Sequence, residues 1–343
     1  MKMVLPIQKI KDKISLRGRC ALHNGKIVMD WVGSGFEIRF TGDFIRVFFE
    51  TESGDMPVYV YSEVDGRRQK TAVSNSNEAL ITDNLGSGVH TFKLLRITEV
   101  YSPIDNIKDY LLITGIELGK EGEFELWNAP EPRKTVIDFY GDSITNAWSS
   151  LAEPDCEERR ICDNDYTVSY AYLTSEALNA EARVCAVSGR GVVASCTGER
   201  TEPLKRFYNM KSRFLPIGMD FSPKPDIIVI ALGTNDCGGG VSDDEFKEGA
   251  REFVKLVRTD AKDAEIIWMY GMMNEKYVPI LKKLIDELKQ TDSHISFLPI
   301  KHVKREDNET GAFGHPNIKG EKRIADELIK HISKVFTLNQ ISM

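Results

Sequence analysis

The chain has 343 residues, 41% of them hydrophobic, enough for packed cores and more than one domain usually holds. Its formal charge of -7 argues against a nucleic-acid footprint, which needs a basic surface, and gives no reason for attraction to an anionic membrane. The start, Met1-Lys2-Met3-Val4-Leu5-Pro6, turns charged from Lys9 to Lys13 without an apolar leader, and no run approaches the roughly 18 apolar residues of a bilayer span. The chain as written therefore reads as cytoplasmic.

Residues 17–127 read as β structure. Short apolar or alternating runs at 26–32, 36–41, 44–51 and 57–64 are punctuated by Gly and Asp, and 89–97, 110–118 and 123–127 continue the series. Phe36-Glu37-Ile38-Arg39-Phe40 alternates, which turns one face inward and one to water. Asp65-Gly66 has hairpin-turn chemistry. Many short strands without helices predict a β-sandwich or jelly roll over residues 1–128. Asn128-Ala129-Pro130-Glu131-Pro132-Arg133 makes a stiff linker.

The pattern then changes. Buried-type strands at 135–140, 183–187, 226–232, 265–270 and 295–300 alternate with helical periodicity at 167–179, 243–259, 275–290 and 318–335. Five strands interleaved with helices predict a parallel, doubly wound sheet over residues 133–343. The six cysteines are too few to staple a chain of this size, so free thiols are expected, and Cys156 and Cys162 lack the tight ligand spacing of a zinc site.

The chemistry-bearing residues fall at strand ends, where open α/β sheets bind ligands. The first strand runs into Gly141-Asp142-Ser143-Ile144-Thr145, the second into Val187-Ser188-Gly189-Arg190-Gly191, and the third into Leu232-Gly233-Thr234-Asn235-Asp236. Gly314-His315-Pro316-Asn317 stands just before the last helix. Each has an ordinary reading as well: serine as a helix cap, the glycine loop as a turn, Asn235 as a loop tie.

The ordered blocks Gly141-Asp142-Ser143, Gly189, Gly233-Thr234-Asn235-Asp236 and His315-Pro316-Asn317 resemble the SGNH (GDSL-like) hydrolases over roughly residues 133–336. The whole chain is similar to carbohydrate esterase family 2, whose members join an N-terminal jelly roll to an SGNH domain. That likeness rests on Asp30-Trp31-Val32-Gly33-Ser34-Gly35-Phe36-Glu37, Phe40-Thr41-Gly42, Gly141-Asp142-Ser143-Ile144-Thr145 and Ser188-Gly189-Arg190-Gly191-Val192. It implies a flavodoxin-like α/β/α domain in which Ser143 is the nucleophile and His315 the general base. The oxyanion hole would comprise the backbone N–H groups of Ser143 and Gly189 and the side chain of Asn235. Asp142 and Asp236 would serve as scaffold, and His302, in a charged stretch, is the weaker candidate base. The implied reaction is removal of acetyl groups from O-acetylated carbohydrate such as xylo-oligosaccharide, through an acyl-enzyme and without cofactor or metal.

One departure matters. Where an acid two or three residues before the histidine is expected, this chain has Phe313 and Ala312, and the nearest upstream acids are Asp307 and Glu309. Either a distant carboxylate or a backbone carbonyl orients His315. The long charged stretch 146–165 follows the nucleophile, and Trp148 within it is either a sugar platform or packing, as are Phe207 and Tyr208. A generic short-chain esterase or thioesterase, and a carbohydrate-binding protein with a weakened hydrolase domain, are the alternatives. Retention of Ser143, Gly189, Asn235 and His315 speaks against the last. A homo-oligomer is left open by the sequence.

Overall fold

The structure, a computed structural model, describes residues 4–54, 56–74, 80–103, 105–119 and 124–336. The chain divides into two compact units: Met1–Pro132 with Met210–Gly218, and Arg133–Asn209 with Met219–Met343.

Alternation builds the first unit. Gly35–Thr41 buries Phe36, Ile38 and Phe40, and Val58–Val64 buries Val58, Val60 and Val64, while the residues between them face outward. Among the described residues the strands form two six-stranded antiparallel sheets whose inner faces share one apolar cluster, the sandwich expected from the pattern. Asp65 and Gly66 both take positive φ (49° and 82°), as a two-residue hairpin turn requires, and join Val58–Val64 to Arg67–Val73. The hairpin reading of Asp65-Gly66 implies this second strand, but no apolar run in the sequence gives its extent. It lies at the sheet edge and begins with the exposed residues Arg67, Arg68 and Gln69, so no apolar period marks it. The expected strand at 123–127 is seen as Glu125–Leu126; Glu123 lies outside the described residues.

The second unit carries the parallel sheet: β1 (Thr135–Gly141), β2 (Ala180–Ala186), β3 (Ile227–Ala231), β4 (Glu265–Tyr270) and β5 (Ile295–Pro299). The spatial order is β2-β1-β3-β4-β5, every pair parallel, which is the flavodoxin-like arrangement. β1, β3 and β4 are buried along their whole length, because helices rather than water cover parallel sheets. The helices are α1 (Tyr170–Ala177), the short α2 (Thr234–Gly238), α3 (Asp243–Asp260), α4 (Val278–Leu288) and α5 (Ile318–Val335). α1 packs with α5, and α3 with α4. Capping explains the sharp starts of two of them. Ser242 and Glu245 form a reciprocal capping box on α3, and the Asn317 side chain accepts from the N–H groups of Lys319 and Gly320 on α5. In register, Gly141 stands opposite both Ala186 and Ala231, so three loops leave the sheet at one level. The order reverses between β1 and β3, which opens a crevice at that edge. No helix among the described residues is long and apolar enough to cross a membrane.

Met210–Gly218 belongs to the sandwich unit although it falls between β2 and β3 in the chain. The buried Asp30 carboxylate holds it. One oxygen accepts from the Ser212 hydroxyl and from the N–H groups of Arg213 and Phe214, both at 2.8 Å. Arg19 donates to the Met210 carbonyl at 2.9 Å, and Phe214 stacks on Tyr110 with ring centroids 3.9 Å apart. Burial pushes the Asp30 carboxyl up against the pull of its donors, so the contact exists only because those donors are supplied. Asp30→Ala would leave them unpaired and should cost ~2–4 kcal/mol of stability. Urea unfolding followed by intrinsic fluorescence measures this; an unchanged midpoint and slope would contradict it.

Candidate active site

The turn that carries Ser143 is built by close packing. A Cβ on Gly141 would come within 1.9 Å of the Thr145 hydroxyl oxygen, so only glycine lets the chain fold back directly after β1. Asp142 is fully buried and fixes the turn by accepting from the Ile144 N–H at 3.0 Å. The Trp148 N–H bonds the Ser143 carbonyl at 2.9 Å. Ser143 is thereby held at the strand end with 8% of its surface exposed.

His315 arrives on an equally constrained loop. Phe313 and Gly314 have positive φ (55° and 73°), the Gly311 N–H reaches the His315 carbonyl at 2.7 Å, and Asn317 donates to the carbonyls of Asn308 and Thr310. The result is a bond of 2.8 Å between His315 Nε2 and Ser143 Oγ. Nε2 accepts the hydroxyl proton, which places the ring proton on Nδ1.

No carboxylate among the described residues bonds that Nδ1. Glu309 is buried but gripped by Arg323, with Nε at 2.7 Å and Nη2 at 3.0 Å. Asp307 is ion-paired with Lys301 at 3.1 Å, which holds its carboxyl below the usual range. The carbonyls of Phe313 and Ala312 favour the protonated ring, yet neither meets Nδ1 in hydrogen-bond geometry. Burial outweighs them, Arg159 adds repulsion, and the imidazole pKa falls to about 4. A depressed pKa keeps His315 neutral and able to accept a proton at pH 7, and that capacity is lost only as pH falls through the depressed value. His302 makes no bond to Ser143.

Two donors on the strand-end loops are unspent. The N–H groups of Ser143 and Gly189 have no acceptor among the described residues. Gly189 takes φ +78°, and its loop is pinned by Asp236, whose buried carboxylate accepts from the N–H groups of Val192, Val193 and Ala194. A Cβ on Gly191 would sit 2.2 Å from that carboxylate, so the glycine is what admits Asp236. Asn235 opens α2 between the same loops. Its Nδ2 donates to Asp142 Oδ2 and to the Arg190 carbonyl, each at 2.9 Å, so a bond to a substrate oxygen has to be shared with one of these.

Trp148 is half-buried, its ring centroid 4.7 Å from that of His315 and 5.3 Å from that of Phe313. Ala147 and Ser149, on either side, both have positive φ, a local strain that aims the indole at the imidazole. The Arg159 guanidinium lies over Trp148 and Phe313 at 5.7 and 5.6 Å. Neither Phe313 nor Arg159 carries a spacing or motif that would single it out in the sequence. The other aromatic candidates are core residues. Phe207 and Tyr208 are buried, and Tyr208 stacks on Tyr140 and Phe221 because it fills the space beside β1. All six cysteines are free, and no group of three or more His, Cys, Asp or Glu side chains among the described residues could hold a metal ion.

The second unit thus carries a strand-end serine bonded to a neutral imidazole, together with two N–H groups that have no acceptor, on a flavodoxin-like sheet. Residues 139–323 match the model of the GDSL-like lipase/acylhydrolase family, and the chain belongs to that family. Residues 16–130 match the model of the carbohydrate esterase 2 N-terminal domain. Among curated relatives, the chain is 26% identical over 315 residues to "Cellulase/esterase CelE" of Acetivibrio thermocellus, covering 88% of this chain and 37% of that protein's length. It is 23% identical to "Acetylxylan esterase / glucomannan deacetylase" of Cellvibrio japonicus, covering 91% of each. The solved acetyl xylan esterase Est2A of the rumen bacterium Butyrivibrio proteoclasticus superposes with a TM-score of 0.87 at 22% identity, over 97% of this chain and 98% of that one.

If no carboxylate serves His315, Asp307→Ala should change kcat by no more than about twofold. Glu309→Ala should lower the melting temperature by removing its buried two-bond pair with Arg323, while sparing kcat of the folded protein. His315→Ala should lose a factor on the order of 10³ or more. A loss on the order of 10³ in Asp307→Ala, measured on an activated acetyl ester, would make Asp307 the third member of a triad.

Proposed function

We propose that this protein removes acetyl groups from O-acetylated carbohydrate, such as acetylated xylo-oligosaccharide, by an acyl-enzyme route. The observation that carries the reading is the 2.8 Å contact of Ser143 Oγ with a neutral His315, on a strand-end turn where the N–H groups of Ser143 and Gly189 have no acceptor. The carbohydrate esterase 2 match and the acetylxylan esterase relatives support the choice of acyl group and of sugar.

Ser143 Oγ attacks the ester carbonyl carbon as its proton passes to His315 Nε2. Charge developing on the carbonyl oxygen is met by the N–H groups of Ser143 and Gly189, with Asn235 contributing by sharing one of its Nδ2 protons. A weakly basic imidazole makes a strong acid once protonated, so His315 returns its proton readily to the departing sugar hydroxyl. Acetyl-Ser143 is left. Water, deprotonated by the same Nε2, then releases acetate and restores the serine.

Ser143→Ala should abolish turnover of 4-nitrophenyl acetate while leaving the thermal melt within a few degrees of wild type. Acetyl esters should be cleaved faster than butyryl, and octanoyl least of all, and acetate should be released from acetylated xylo-oligosaccharide. Activity that rises with acyl length, with no acetate released from the oligosaccharide, would make the protein a generic esterase or thioesterase instead.

A further inference from the structure

Arg159 stands out by what it lacks. Every other arginine of the parallel-sheet unit pairs with a carboxylate, including its chain neighbour Arg160 with Asp163, Arg190 with Glu199 and Glu202, and Arg305 with Asp155. Arg159 makes no ion pair and donates no hydrogen bond among the described residues, although Glu157 and Glu158 precede it directly in the chain. In a protein of charge -7, an acid-rich loop that leaves one guanidinium unclaimed is an arrangement to be explained.

Its position gives the explanation. The guanidinium lies over Trp148 and Phe313, and Trp148 in turn contacts the His315 ring, so a single indole touches both the cation and the general base. A guanidinium held over aromatic rings with no hydrogen bond of its own keeps its N–H fork unspent, and that fork matches a carboxylate in two parallel bonds. Arg159 is also exposed, so the fork is open to a ligand. The aromatic wall beside the dyad thus presents a positive charge and not a bare sugar platform.

We infer that Arg159 is a specificity-determining residue that binds the carboxylate of a uronic acid carried on, or next to, the acetylated sugar. This rests on the carbohydrate-esterase reading above. The preferred substrate class is then acidic acetylated oligosaccharide, with the negative group held one aromatic ring away from the scissile ester.

The test compares kcat/KM of the full chain on O-acetylated xylo-oligosaccharides with and without a single glucuronosyl branch, at low ionic strength. Wild type should prefer the acidic substrate by about tenfold, the worth of one charge-assisted bond pair. Arg159→Gln should bring the ratio to within about twofold of one. Arg159→Lys should fall between, because it keeps the charge and loses the fork. A wild-type ratio near one, or a preference that survives in Arg159→Gln, would overturn the inference. So would a stronger preference for an acetylated sugar phosphate than for the uronate, which would replace the carboxylate with a phosphate. Hydrolysis of neither oligosaccharide by wild type would instead overturn the carbohydrate-esterase reading beneath it.

Discussion

The bond from Ser143 Oγ to His315 Nε2 sets demands on most of the second unit. The two residues are 172 positions apart, so a separation of 2.8 Å requires two loops whose backbones have almost no freedom. One is closed by Gly141 against Thr145 and by Asp142 on the Ile144 N–H. The other is closed by the left-handed Phe313-Gly314 step, by Asn317, and by the short antiparallel bridge between Thr310 and Pro316. The parallel register, with Gly141 level with Ala186 and Ala231, brings the glycine loop and Asn235 to the same edge. Strain at Ala147, Ser149 and Phe313 is tolerated there because the surrounding packing over-determines it.

Electrostatics follow from the same geometry. The pair is walled by Trp148 and by the protein interior, and an imidazole so placed resists protonation. A triad acid would reverse that tendency; here Glu309 is committed to Arg323 and Asp307 to Lys301. The carbonyls of Ala312 and Phe313 oppose burial only in part. Arg159 pushes in the same direction as burial, so the residue that selects an anionic substrate by our inference also helps keep the base neutral, and a bound carboxylate would relieve that repulsion.

Much of this was legible in the chain because periodicity and glycine carry strong signals. The five buried strands were read within a few residues of their ends, and α5 was read at its full extent, since Asn317 caps it and Ile324, Ala325, Leu328 and Ile332 share its buried face. The extent of the edge strand Arg67–Val73 escaped because polar side chains on a half-exposed strand erase the alternation. Ser143, Gly189, Asn235 and His315 were visible as strand-end motifs. Asn235's engagement with Asp142 and Arg190 was not, because hydrogen bonds between loops leave no spacing pattern. The sequence alone reads Trp148 as either platform or packing, and only the structure shows its ring shared by His315, Phe313 and Arg159. Assignment of Met210–Gly218 to the sandwich unit was equally hidden, since it rests on one buried aspartate far away in the chain.

The state of His315 decides whether a serine hydrolase works here with an imidazole that no carboxylate supports. A 15N NMR titration of that ring, read against the His315→Ala protein for assignment, reports both tautomer and pKa. The account predicts a neutral ring protonated on Nδ1 at pH 7, with its midpoint near the value of about 4 that burial imposes. An imidazolium that persists above the unperturbed midpoint of about 6.5 would reveal an ionised partner at Nδ1 and contradict it.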